Sequence, residues 1–201
     1  MKKGPELVLA SNRHGIDWQR SRSKDGHVIA EVLSAVIKEI RRGKEEEALY
    51  WALEMAACGP VAEQFLWECL VVFTAEDVGL ADTAAVVLVT QAKTGCCELP
   101  TKDKRRGVFI ALAVSYLCRC QKSRYVTELL EDVKGRKERG EFACEMPDYA
   151  IDMHTERGRA RGRGLAHYLR EGAHLEHTCP HLPETYHSRL MSLVEAEEEA
   201  E

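Results

Sequence analysis

The sequence predicts an all-α protein: a multi-helix bundle followed by a partly irregular, Arg/His-rich C-terminal extension. Three observations predict it. Between positions 25 and 140, apolar residues recur at helical spacing and nowhere alternate with a strand period. The connections in that stretch are short and marked by glycine or proline, as between packed antiparallel helices. The chain has 201 residues, 45% of them hydrophobic and 30% charged, enough for one helical domain with a real core.

Residues 1–24 are polar and include the run "RSRSKDG" at 20–26, which reads as an arm outside the core. Asp25 suits the N-cap of a helix that carries Val28, Ile29, Val32, Leu33, Val36, Ile37 and Ile40 on one face, ended by Gly43. A second helix, at about 44–58, opens with Glu45, Glu46 and Glu47, where the helix dipole favours negative charge. Gly59 stops it. Pro60 suits the first turn of a third helix, with Phe65, Leu66, Leu70, Val71 and Phe73. Asp82 is expected to cap a helix ended by Gly95, Thr101 one from about 102 to 119, and Ser123 one to about Arg139. The last of these ends in the basic run "KGRKERG", which suits a helix C-terminus.

The composition changes near "GEFACEMPDY" at 140–149. Three regions follow from this: an arm at 1–24, a helical domain at 25–140, and an extension at 141–201 that ends in the acidic "EAEEEAE". The extension holds six of the eight histidines and a dense arginine run.

The net charge of −5 gives the whole protein no attraction to nucleic acid, so any such binding needs a local basic patch. The longest apolar stretches, "AAVVLV" at 84–89 and "VFIALAVSYLC" at 108–118, fall short of a membrane span. The N-terminus has no apolar core of the signal-peptide kind, and a cytoplasmic location without membrane contact is expected. None of the eight cysteines forms a Cys-x-x-Cys pair, so buried reduced thiols are expected rather than disulfides or a zinc ribbon.

The segment "FTAEDVGLAD" at 73–82 places two acids beside a glycine between apolar runs. Glu76 and Asp77 point about 100° apart on a helix, so they do not converge on one bond or one metal. On the residues alone they finish one helix, Gly79 lets the chain turn, and Asp82 caps the next. The strings "EEEALYWALEMAACG" and "LWECLVVFTAEDVGLAD" resemble the C-terminal region of the replication-associated recombination AAA+ ATPases of the RarA/MgsA type, relatives of clamp loaders. Ala48, Leu49, Tyr50 and Trp51 match one element of that region; Phe73, Glu76, Asp77, Val78, Gly79, Leu80, Ala81 and Asp82 match a second, from which Thr74 and Ala75 depart. In "ALAVSYLCRCQKSRYV", Lys122 and Ser123 match a third, with Gln121 and Arg124 in place of proline and asparagine.

The resemblance spans roughly 28–135. It implies a collar-like helical oligomerisation module in which these acids serve architecture and assembly rather than chemistry. No G-x-x-x-x-G-K-[ST] string occurs; "RRGKEEEA" at 41–48 lacks the upstream glycine and the magnesium-binding hydroxyl, so the family's ATPase activity does not carry over. The expectation is a stand-alone, non-catalytic module without a cofactor. It would self-associate and work with an AAA+ ATPase or with replication or recombination proteins.

The run "HTERGRARGRGLAHYLREG" offers an alternative. On a helix, Arg157 and Arg161 would share one face, as would Arg159 and Arg163, and with Arg170 they would form a basic band suited to a DNA or RNA backbone. Pairing with acids such as Glu156, Glu171 and the tail is the plainer reading, and no aromatic residues interleave the arginines as stacking platforms. Gly158, Gly162 and Gly164 weaken such a helix but let a phosphate or another backbone come close. This segment is expected to depart from the family's C-terminus. A third reading, a metal-dependent hydrolase, rests on His177, Cys179 and His181, a compact set without a common zinc spacing. Neither Asp152 with His154 nor Cys179 with a histidine has a spacing that marks a catalytic pair.

Overall fold

The computed structural model describes residues 17–198. Most of the 1–24 arm and the end of the acidic tail lie outside the described residues. The chain divides into two compact units between Arg139 and Gly140. The described residues are helical, with turns and loops and no named strand; one isolated bridge joins Arg22 to Val28.

The first unit holds α1 (Ile29–Arg41), α2 (Glu45–Ala57), α3 (Pro60–Phe73), α4 (Ala84–Cys97), α5 (Arg106–Arg119) and α6 (Tyr125–Glu138). A π-helical turn (Thr74–Val78) and a 3-10 turn (Gly79–Ala81) link α3 to α4. Helix α2 sits at the centre, packed on α1, α3 and α5, and α4 packs on α5. Ala48 and Ala52, one turn apart and fully buried, let α2 lie close to its neighbours. Around them the core fills with Val36, Ile40, Met55, Leu66, Leu70 and Leu117.

Five of the seven apolar residues expected on the first helix are buried, and Ile37 packs on the core from its edge. Gly43 and Gly59 have φ of +69° and +117°, so the chain turns at both through backbone conformations that side chains disfavour. Pro60 occupies the first position of α3.

Four local expectations need correction. Asp25 does not cap α1, which starts at Ile29; its N–H donates to Glu54 Oε1 at 3.2 Å and its carboxylate receives the Tyr50 hydroxyl, tying the leading loop to α2. The arm is not wholly outside the core, because Trp18 is buried and stacks on Phe65 with centroids 4.8 Å apart. Gly95 lies inside α4 rather than ending it, and a Cβ there would come within 2.7 Å of the Phe109 ring, so the glycine admits α5. Thr101 caps nothing; Asp103 turns the chain into α5 by accepting the Arg105 N–H at 2.9 Å.

The second unit is smaller. It holds a 3-10 turn (Asp148–Ala150), α7 (Glu156–Ala160), α8 (Leu165–His167) running into a π-helical turn (Tyr168–Gly172), and α9 (Thr185–Glu198). Ala166, Leu169 and Val194 form its apolar cluster, with Tyr168 and Met191 packed on it.

All eight cysteines are free thiols. Burial, the largest cause in each, pushes Cys69 up to about 12 and Cys96 and Cys118 up to about 11. Alkylation of the native protein at pH 8 is therefore expected to be fast at exposed Cys97, Cys144 and Cys179 and slow at those three. The unfolded thiols ionise first, so their contribution to stability is complete below the ordinary thiol value. It is lost as pH rises from about 9 towards 11–12, which a base titration of unfolding will show as a falling midpoint.

Candidate functional site: the acidic elbow and the arginine run

The elbow forms where α3 runs out. The Thr74 hydroxyl donates to Val71 O at 2.6 Å, and the π-helical turn then widens the spiral so that Glu76 and Asp77 separate. Asp77 turns inward, its side chain 3% exposed. The Arg41 guanidinium grips both its oxygens, Nε to Oδ1 at 2.9 Å and Nη2 to Oδ2 at 2.8 Å, and Arg124 Nη1 adds a contact to Oδ1 at 3.2 Å. The main chain of the acids is used as well: Asp77 O accepts the Ser123 N–H at 2.9 Å, and Glu76 O accepts the Thr127 hydroxyl at 2.8 Å.

Gly79 has φ +54° and ψ −127°, a conformation open to glycine, and a Cβ there would press on Val126 at 3.3 Å and Ser123 O at 3.4 Å. Past it, Asp82 stands one residue before Thr83, the N-cap of α4, rather than in the cap position expected of it. Its Oδ1 accepts the Ala84 N–H at 3.1 Å, at the start of α4, while Oδ2 accepts the Tyr116 hydroxyl at 2.8 Å, fixing that start to α5.

The residues matched to the resemblance thus meet in one place, with exceptions. Lys122 Nζ donates to Cys118 O and Cys120 O at 3.0 and 3.1 Å, closing the end of α5. Ser123 Oγ accepts the Tyr125 N–H at 3.2 Å as α6 begins. Phe73 is buried in the core. Trp51 is not brought to the elbow; it packs on the core edge-on to His27 and Tyr50, with centroids 5.2 and 5.0 Å away.

Sequence reasoning missed Arg41 and Arg124 as partners of Asp77, and it missed a second buried acid. Glu63 accepts Arg106 Nη2 at 2.7 Å and the Cys96 thiol at 3.3 Å. Arg106 Nη1 also donates to Cys96 O and Leu99 O, both at 2.6 Å, satisfying the end of α4. The only signal for these pairs lay in charged residues beside helix ends, which does not specify partners.

The arginine run does not form a basic helical band. Helix α7 ends at Ala160 and Gly162 has φ +71°, so Arg157 and Arg161, like Arg159 and Arg163, are not carried on one continuous helix. Arg163, 17% exposed, donates to Asp148 O at 2.8 Å and Ile151 O at 2.6 Å and pairs with Asp148 Oδ2; Arg161 reaches Asp148 Oδ1 at 3.0 Å. Arg163 and then Arg161 hold the Asp148 carboxyl below its ordinary range. Arg159 donates to Met153 O at 3.1 Å, and Arg170 lies 3.9 Å from Glu195. Arg157 is exposed. Gly158 does admit another backbone: a Cβ there would lie 1.8 Å from Asp152 O.

Asp152 and His154 are brought together, Oδ2 to Nδ1 at 3.0 Å, and the His154 N–H donates to Asp152 Oδ1 at 2.9 Å. The His154 ring beside it is the main reason the Asp152 carboxyl titrates below its usual range. The histidine itself is exposed and edge-on to Tyr168. His177, Cys179 and His181 are exposed. Among the described residues, no three His, Cys, Asp or Glu side chains are placed to hold a metal ion.

The described residues thus form an all-helical protein whose buried acids Asp77 and Glu63 are paired with the chain's own arginines. A family model for the C-terminal domain of the MgsA AAA+ ATPases matches residues 43–192, and the chain belongs to that family. Such a domain is not itself the catalytic core of the ATPase. The matched range takes in the arginine run and the histidines, so the segment expected to depart from the family lies within the family domain. No curated protein matches the chain.

Two substitutions weigh the elbow. Arg41→Ala is expected to cost the first unit about 3 kcal/mol, because it strips a buried carboxylate of its two-pronged partner. Arg124→Ala, with a half-exposed side chain and one contact, is expected to cost about 1 kcal/mol or less. All three tryptophans lie in the first unit, so urea unfolding followed by tryptophan fluorescence reads that unit; equal effects would refute the asymmetry. By the same measurement, Gly79→Ala is expected to cost about 1–3 kcal/mol from its backbone conformation.

Proposed function

We propose that this domain is a non-catalytic helical assembly module that self-associates and serves a complex of MgsA-type ATPases in DNA replication or recombination, in the cytoplasm. The observation that supports it best is the family match over 43–192 on a fold in which the motif's Asp77 points inward while several apolar side chains stay exposed. Val86, Val87, Val108, Leu112, Leu129 and Leu130 are each roughly half exposed or more. Single exposed hydrophobes are ordinary, but Val126, Leu129 and Leu130 share one face of α6, which buries none of its residues. That face supports contact with another protein surface. The replication or recombination setting rests on kinship with the MgsA-type ATPases. Among the described residues, no helix is long and apolar enough to cross a membrane.

Light scattering at low and high salt tests the reading. A closed oligomer, with a mass that is a multiple of 22.6 kDa at both salts, is expected, since apolar contacts are little screened. A monomer whose affinity for DNA falls steeply with salt would replace it with nucleic-acid binding through 157–170.

A further inference from the structure

Resting on that reading of self-association, the geometry points to the outward face of α4 as the surface where one copy of this chain meets another. The two α4 helices would pack antiparallel about a two-fold axis. Between Thr83 and Cys97 the only charged residue is the half-buried Lys93. The helix is nonetheless open on one side. Thr83, Val87, Thr90, Gln91 and Thr94 are exposed and recur at helical spacing along one face. Val87 is 61% exposed and Val86 beside it 47%. The exposed sides of α1 and α2 are ordinary by comparison, with Glu31 and Lys38 on the first and Glu46 and Glu47 on the second. In a chain 30% charged, an open helix face of about four turns without charge matches the core of a protein–protein contact, where charge is depleted.

The chemistry of the face suits a copy of itself. A two-fold axis brings groups near their own duplicates, so a face with charge of one sign would repel itself. Hydroxyls and amides both donate and accept, so Thr90 and Gln91 can pair with the same groups on a second copy. Thr94 donates its hydroxyl proton to Thr90 O at 3.0 Å, and its oxygen remains an acceptor. Antiparallel alignment also sets opposite ends of the two helix dipoles together. Aligned centre to centre over Ala84–Cys97, the copies set Val87 against Thr94 and Thr90 against Gln91. The inner side of α4 is already taken. Ala85, Val89, Ala92 and Cys96 are buried and Gly95 admits Phe109 of α5, so the outward face is covered without disturbing the core.

Charge exchange on the full chain, read by light scattering, tests this. Val87→Glu and Thr94→Lys are each expected to lower the wild-type mass by half or more. Circular dichroism and the urea midpoint are expected to stay at their wild-type values, because both side chains are exposed. The two substitutions together are expected to restore the mass, since each glutamate then meets the lysine of the other copy. With the exposed Cys97, Cys144 and Cys179 changed to Ser, Gln91→Cys is expected to give a covalent dimer under mild oxidation, and Glu46→Cys on α2 to give none. An oligomer that persists in Val87→Glu, a double variant no better than the single ones, or no covalent dimer from Gln91→Cys overturns the inference and leaves self-association standing. A monomeric wild type overturns both.

Discussion

A carboxylate that is 3% exposed sets the terms for everything near it. A carboxylate buried as deeply as that of Asp77 needs donors on both oxygens, and the nearest main chain has none to spare because α3 has just ended. Arg41, the last residue of α1, supplies the fork. This requires α1 to end beside the end of α3, which in turn requires the tight turn at Gly43 and the return of α2 between them. Glu76, by contrast, contributes its carbonyl rather than a buried charge. The two acids of the motif therefore do different work, and their divergence on the turn is what allows it.

The same solution recurs at Glu63 and at Asp148. In each, a guanidinium joins a carboxylate to carbonyls left over at the end of a turn or helix: Arg106 serves Cys96 O and Leu99 O, and Arg163 serves Asp148 O and Ile151 O. Five donors in a rigid fork make this an arginine task, one a lysine cannot perform with the same reach. The helices α1 to α6 show no side-chain hydrogen bond from their own N-cap residues, so long-range arginines and flanking Asp82, Asp103 and Ser123 do much of the work at helix ends.

This explains what was legible in the sequence. Period and punctuation are local, so the stripe of α1, the start of α3 at Pro60 and the turns at Gly43 and Gly59 could be read directly. Gly95 could not, because its reason is a ring on another helix, and neither could Trp18, whose stacking partner Phe65 is far along the chain. Asp25 and Thr101 had the right chemistry for caps, but contacts elsewhere moved the helix starts away from them. The elbow was legible as a boundary and as a family string, yet its two arginines lie 36 and 47 residues from Asp77 and no spacing rule reaches that far.

The arginine run shows the cost of reading charge by type alone. Counted on an ideal helix, it made a band for phosphate. In the fold, Gly162 breaks the helix, and Arg161 and Arg163 become internal fasteners for Asp148, with Arg159 on a carbonyl. An arginine held by two carbonyls and a carboxylate is not available to a polyanion unless the unit that it fastens loosens. The surface of the first unit departs from the ordinary in another way, through the valines and leucines that its helices leave exposed. The interior is apolar throughout apart from a few paired polar groups, Asp77 and Glu63 among them, so these valines and leucines are surplus to the core rather than displaced from it.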